Sequence, residues 1–167
     1  MKRRDALKAA GLIAGGALIG SSGILEACRT HRASNARVLS DEDQVLAEEI
    51  ADTLLPTTAG SPGAKAVGTG AAMNLILSDC YTPADQRAVS EGLERFRAAN
   101  FLELSRADRE TFVRSVGRQA WFAPVRDLAL GAYFSSETGM TLALRYVRVP
   151  GKYVGCMPLA PGQPAWG

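Results

Sequence analysis

The sequence has few of the residues that usually carry out catalysis or hold a cofactor. It contains one histidine and three cysteines in 167 residues, and aromatic residues make up only 7%. Cys28, Cys80 and Cys156 are too far apart for an iron–sulfur ligand run, and none stands in the Cys-x-x-Cys-His segment that attaches haem c. His31 lies in a polar stretch without a partner to hold it as a base. These absences predict a chain that binds no cofactor or metal.

Neither glycine-rich stretch has the pattern of a nucleotide-binding loop. Residues 68–73 (GTGAAM) have a methionine where the third glycine would stand, and they lie in a helical pattern, which predicts helix packing. Residues 60–65 (GSPGAK) lack the Gly-Lys-Ser/Thr ending of a phosphate-binding loop. Ser135 and Ser136 have no neighbouring histidine to activate them. We predict a non-catalytic module; the alternative is an enzyme whose acid–base site has no recognisable motif.

The net charge of +2 belongs to the start of the chain. The residues before Cys28 include four basic and two acidic ones, and the 140 residues from Cys28 onward hold 15 of each sign. Recognition of nucleic acid needs a clustered basic face, so we expect no nucleic-acid partner. A chain of that length is sufficient for one domain.

The first 28 residues resemble an export signal. The basic run from Lys2 to Lys8 contains the pair Arg3 and Arg4 and precedes an apolar stretch, residues 9–19, that is too short to cross a bilayer comfortably. The paired arginines resemble the twin-arginine signal, which is an address read by a receptor. We therefore expect the twin-arginine translocase to export the chain, folded, to the periplasmic side of a bacterial membrane.

Residues 25–28 (LEAC) resemble a bacterial lipoprotein cleavage site. This resemblance predicts that Cys28 becomes the lipid-modified mature N-terminus and attaches the chain to a membrane; ordinary cleavage nearby is the alternative. Cys80 and Cys156 would then be an even pair in an oxidising compartment, where a disulfide can form and persist. Two buried thiols that act as small apolar residues are the alternative.

Composition and periodicity predict three segments: the signal at 1–28, a polar tether at 29–39, and a mainly α domain at 40–167 with about five helices. Ser40, Thr82 and Ser105 are expected to cap helices, and Pro56 is expected to end the first one. The helices should begin near residues 41, 64, 83, 106 and 124. The four prolines and four glycines of residues 146–167 predict a long irregular, extended C-terminal tail. The tail is too apolar for a solvated terminus, so it should pack on its own domain or on a partner.

Two stretches have the residue order and spacing of a known family. The first comprises residues 52–56 (DTLLP) and 61–68 (SPGAKAVG). The second comprises residues 131–139 (GAYFSSETG), 144–146 (LRY), 149–156 (VPGKYVGC) and 165–166 (AW). Together they resemble the gluconate 2-dehydrogenase subunit 3 family, the small subunit of membrane-bound, FAD-dependent sugar and sugar-acid dehydrogenases.

The resemblance implies an accessory subunit of an oxidoreductase complex. In such a complex a large flavoprotein holds FAD, a cytochrome c subunit holds haem c, and the small subunit binds the flavoprotein and supplies its export signal. We expect buried aromatic residues to dominate that contact. The candidates are Tyr133, Phe134, Tyr146, Tyr153 and Trp166. The alternative for each ring is a place in the domain's own core, and the alternative for the whole chain is a free-standing periplasmic lipoprotein that acts as a scaffold or binding module.

Overall fold

Five α-helices form most of the part of the chain that the computed structural model describes, which is residues 38–149, 151–152, 154–158 and 160–166. The helices are α1 (Asp41–Leu54), α2 (Thr69–Cys80), α3 (Pro83–Ala98), α4 (Arg106–Val116) and α5 (Ala123–Phe134). Two 3-10 turns (Ala64–Val67 and Phe101–Glu103) and one π-helical turn (Gly139–Ala143) complete the helical part. The described residues form no strand, only one isolated bridge. The prediction of a mainly α protein is confirmed. Arg3, Arg4, Cys28 and Tyr153 lie outside the described residues.

The predicted caps begin three of the helices. Each cap hydroxyl accepts a hydrogen bond from the backbone N–H of an aspartate three residues later, at 3.0 to 3.3 Å. The pairs are Ser40 with Asp43, Thr82 with Asp85, and Ser105 with Asp108. The cap satisfies an N–H that has no partner within the helix, and the aspartate places negative charge at the positive end of the helix dipole.

The helix expected from Ala64 onward is interrupted. Gly68 adopts the left-handed conformation, with φ of 68°, and separates the short 3-10 turn from α2. Left-handed backbone ends a helix, and glycine adopts it at the lowest cost. The Thr69 hydroxyl donates to the Ala64 carbonyl at 2.7 Å across this break. As a result, α2 begins later and ends later than predicted.

Helices α1, α2, α3 and α5 enclose one hydrophobic core. Ile50, Met73, Phe96 and Val125, one from each of these helices, are fully buried. Leu39, which the sequence analysis placed at the end of the polar tether, is also buried, and its N–H donates to the Asn74 side chain at 2.9 Å. The folded domain therefore includes the last residues of the predicted tether.

Most of the aromatic residues are concentrated in one cluster around Phe96. The rings of Phe101, Phe112, Trp121 and Phe122 lie 5.0 to 5.7 Å from the Phe96 ring, centroid to centroid. Edge-on and tilted pairs of this kind contribute roughly 0.5–1.5 kcal/mol each beyond their burial. The cluster joins α3 and α4 to the turns before and after α4.

Candidate partner-binding surface

Residues 144–166, which we call the C-terminal segment, leave the domain and return to the same point. The backbone N–H of Arg145 donates to the Ala165 carbonyl at 2.7 Å, and Arg145 and Trp166 form an isolated parallel bridge. The Arg145 guanidinium carbon lies 4.2 Å from the centroid of the Trp166 ring. A cation over an indole face at this distance contributes about 0.5–1 kcal/mol at an exposed site. These contacts close the segment into a loop.

The C-terminal segment and the turn before it carry most of the exposed apolar side chains. In the described part of the chain, seven of the ten large apolar residues that are exposed lie between residues 142 and 166, at 40% to 79% exposure. They are Leu142, Tyr146, Val147, Val149, Val154, Met157 and Trp166. Apolar residues concentrated in this way on a small domain are typical of an interaction surface.

The same stretch has charge of only one sign. From Thr138 to the last residue the sequence contains no aspartate or glutamate, and its three charged residues are Arg145, Arg148 and Lys152. Our sequence analysis missed this feature because it added the charges of residues 28–167, whose sum is zero. A window of 30 residues would have revealed it.

An apolar groove lies where the two ends of the C-terminal segment meet the helical domain. Its volume is about 270 Å³, which is below the roughly 300–1,000 Å³ of typical small-molecule sites. It is lined by Leu54, Leu55, Pro56, Thr58, Ser61, Tyr133, Phe134, Ala143, Leu144 and Ala165. Its size and lining suit an apolar side chain of a partner better than a sugar.

Hydrogen bonds fix the loop that forms one wall of this groove. The Thr57 hydroxyl accepts from the Gly63 N–H at 3.0 Å, and the Thr58 hydroxyl accepts from the Ser61 N–H at 3.2 Å. The Tyr133 hydroxyl donates to the Pro62 carbonyl at 2.6 Å. The groove is therefore held in shape by its own domain.

The predicted interface residues occupy different environments. Tyr133 is only 2% exposed and its hydroxyl bonds within the domain, so it is a core residue, and the expectation that it contacts a partner is corrected. Phe134 is half-buried, packs edge-on against Tyr133 at 5.0 Å, and lines the groove. Tyr146 and Trp166 are 47% and 45% exposed on the C-terminal segment. Tyr153 is outside the described residues.

Cys80 and Cys156 are both exposed free thiols in the structure. Cys80 is the last residue of α2, and Cys156 lies in the C-terminal segment. The structure therefore has neither the predicted disulfide nor the alternative of two buried thiols.

The strongest charge cluster of the described residues is structural. Glu49 forms ion pairs with Lys65 and with Arg109, whose Nη1 lies 2.6 Å from Glu49 Oε2. The Lys65 hydrogen bond, together with the charge of Arg109, lowers the pKa of Glu49, and the Glu49 hydrogen bond raises the pKa of Lys65. Arg109 Nε also donates to the Phe101 carbonyl at 3.0 Å. Both pKa changes favour the charged forms, which suits an ion pair better than a group that exchanges protons.

Two further properties of the described residues bear on the class of protein. They contain no group of three or more histidine, cysteine, aspartate or glutamate side chains placed to bind a metal ion. None of their helices has the length and apolar character that a membrane span requires. A small helical domain with an apolar, acid-free loop at its surface has the features of a binding subunit.

The family comparison gives that subunit its complex. The sequence model of the gluconate 2-dehydrogenase subunit 3 family matches residues 41–151, and the chain belongs to this family. The match spans all five helices and the first part of the C-terminal segment. Searches of curated proteins and of solved structures found no match. Membership implies an accessory subunit of a multi-subunit, membrane-associated gluconate 2-dehydrogenase complex.

Proposed function

We propose that this chain is the non-catalytic small subunit of a periplasm-facing, FAD-dependent dehydrogenase of gluconate or a related sugar or polyol. It binds and stabilises the flavoprotein large subunit. The observation that carries this proposal is the exposed apolar surface of residues 142–166 on a chain of an accessory-subunit family. An apolar surface of this kind gains free energy when a partner covers it.

The redox chemistry belongs to the partners in this proposal. FAD is bound by the large subunit and haem c by a third, cytochrome c subunit, so substrate oxidation and electron transfer occur outside this chain. The purified chain alone should therefore not oxidise gluconate with a dye as electron acceptor. Turnover by the chain free of flavoprotein would contradict the non-catalytic role.

Export is the second part of the proposed role. Arg3 and Arg4 supply the twin-arginine signal for the flavoprotein, which crosses the membrane folded and bound to this chain. Cys28 then holds the complex at the membrane through its lipid. The support is the resemblance of residues 1–28 to such signals and the basic–apolar order of that segment.

One experiment tests binding and export together. The flavoprotein is produced with the wild-type chain or with the Arg3→Lys, Arg4→Lys variant, and dehydrogenase activity is measured in the periplasm. We expect activity there to fall to near background in the variant. The matched control is Arg29→Lys, Arg32→Lys, which makes the same two exchanges outside the signal and should leave export unchanged. Equal periplasmic activity in all three strains would show that the flavoprotein does not depend on this signal.

A further inference from the structure

We propose that residues 142–166 bind an acidic and apolar face of the flavoprotein, and that the groove at the ends of the C-terminal segment receives one apolar side chain of that face. The identity of the partner rests on the proposed function. The chemistry of its contact face follows from the charges, the residue types and the groove described above.

The charge of the C-terminal segment requires carboxylates on the partner. Arg148 and Lys152 are exposed, and the structure gives neither of them an ion pair with a described residue. Arg145 lies over the Trp166 ring and adds a third positive charge. Because residues 138–167 contain no acidic residue, nothing within that stretch offsets these charges. Complementary potentials steer two proteins together and fix their register, so the face that meets this loop should be negative.

The residue types favour a protein partner over a lipid surface. Protein interfaces are enriched in tyrosine, tryptophan, methionine and arginine and depleted in aspartate and glutamate. Tyr146, Arg148, Met157 and Trp166 fit that composition, and all four are exposed. A segment that lies in a membrane interface is typically an amphipathic helix, whereas the described residues of 144–166 contain no helix.

The groove provides an anchoring point beside the charged loop. Leu144 and Ala165, at the two ends of the loop, line it together with Pro56 and Phe134. No carboxylate is among its lining residues in the described part of the chain. An apolar side chain that fills a preformed recess, with charged contacts around it, is the usual arrangement of an interface hot spot.

The charge half of the proposal is tested by charge reversal in the full chain. Dissociation constants for the purified flavoprotein are measured by biolayer interferometry at several salt concentrations. Arg148→Glu, Lys152→Glu should bind about tenfold more weakly or worse and lose most of the salt dependence, because reversed charges face like charges. The corresponding double glutamine variant should fall between it and wild type. Arg87→Glu, Arg118→Glu reverses two exposed arginines outside the segment and should bind within about twofold of wild type.

The groove half is tested by obstruction. Ala165→Trp places a large side chain at the groove and should weaken binding about tenfold, the loss expected when a hot-spot recess is blocked. Ala160→Trp makes the same exchange at an exposed position of the loop that does not line the groove, and it should bind like wild type. None of the substituted residues is buried, so the thermal unfolding of every variant should match that of wild type.

The outcomes separate the two levels of the proposal. Tight binding that is indifferent to salt, to charge reversal and to Ala165→Trp would overturn the acidic, grooved contact and leave the accessory role intact. Absence of binding by the wild-type chain at any salt concentration would overturn both. Vesicles of phosphatidylglycerol and phosphatidylcholine provide the third arm. Vesicle binding that the double glutamate variant loses, with flavoprotein binding unchanged, would assign the surface to a membrane and overturn the proposal.

Discussion

Gly70 lets α1 and α2 approach each other where a side chain would collide. A Cβ atom at this position would lie 2.5 Å from the Gln44 carbonyl oxygen and 2.9 Å from Glu48 Cβ. The reading of residues 68–73 as a helix-packing stretch is confirmed by this contact. We predict that Gly70→Ala lowers the free energy of unfolding by about 1–3 kcal/mol, because the two helices must move apart. Urea denaturation measures the change.

Gly131 provides the matched control for this substitution. It also lies inside a helix, α5, but a Cβ atom there would have no neighbour within 4 Å. Gly131→Ala should therefore leave stability unchanged or raise it by up to about 1 kcal/mol, the difference in helix propensity. A similar loss at both positions would contradict the close-packing explanation for Gly70.

Glu49 makes the stability of the domain depend on acid. Its pKa is lowered in the folded protein, chiefly by the hydrogen bond from Lys65, so folding favours the charged carboxylate. That contribution is complete above the ordinary pKa of a glutamate, about 4.3, and is lost as the pH falls through the lower pKa of the folded state. Glu49→Gln should lower the free energy of unfolding at neutral pH by about 1–2 kcal/mol. It should also flatten the fall in stability towards low pH.

Glu110 is the control for a carboxylate in an exposed ion pair. Its pair with Arg106 is 3.5 Å long, and the two side chains are 43% and 74% exposed, against 17% and 19% for Glu49 and Arg109. Glu110→Gln should change stability by no more than about 0.5 kcal/mol. Thermal unfolding measured from pH 3 to pH 7 compares the two variants. Parallel curves for wild type and Glu49→Gln would show that Glu49 does not control the acid response.

At the scale of the elements, helix beginnings were more predictable than helix interruptions. A cap such as Ser40 is a local signal, since the hydroxyl bonds an N–H only three residues away. Gly68 also stands in the sequence, but whether a glycine continues a helix or turns left-handed is decided by tertiary contacts, and here it turned. Asn100, with φ of 50°, marks another break before the Phe101–Glu103 turn that the residue pattern did not indicate.

The candidate surface was predictable for the C-terminal segment and not for α5. The tail's apolar residues lie among prolines and glycines, where a helical core face is excluded, so their exposure could be expected. Tyr133 and Phe134 are neighbours at the end of a helix, yet one is buried and the other half-buried. An aromatic residue has the same apolar character in a core and at an interface. Only the fold, which brings Pro62 to the Tyr133 hydroxyl, decides between them.

The contact between Arg145 and Trp166 should hold the C-terminal segment closed without supporting the core. We predict that Trp166→Ala speeds tryptic cleavage after Arg148 and Lys152 severalfold, because a loop released at one end opens more often. The melting temperature should stay within about 2 °C, since Trp166 contributes no core packing. Tyr146→Ala removes an equally exposed ring that does not close the loop, and it should be cleaved at the wild-type rate. Equal cleavage of both variants would rule out the closing role.

The whole molecule joins a stable helical core to a surface that only a partner completes. All of the large side chains that are fully buried come from residues 39–133, and the exposed apolar loop follows them. The core can therefore fold before the partner arrives, and the loop can bind without refolding the domain. This order of events suits export by a route that carries folded proteins.

Binding to a preformed surface should stabilise the folded chain by mass action. A partner at 100 times its dissociation constant that binds only the folded state adds about 2.7 kcal/mol. Core amides that exchange only by global unfolding, such as those of Leu93 and Phe96 in α3, should then exchange about 100-fold more slowly. Hydrogen–deuterium exchange of the complex measures this slowing. At the same flavoprotein concentration the tenfold weaker Arg148→Glu, Lys152→Glu variant should be slowed only about 10-fold. A complex that forms without slowing these amides would mean that the flavoprotein binds the unfolded chain equally well, which contradicts recognition of a preformed surface.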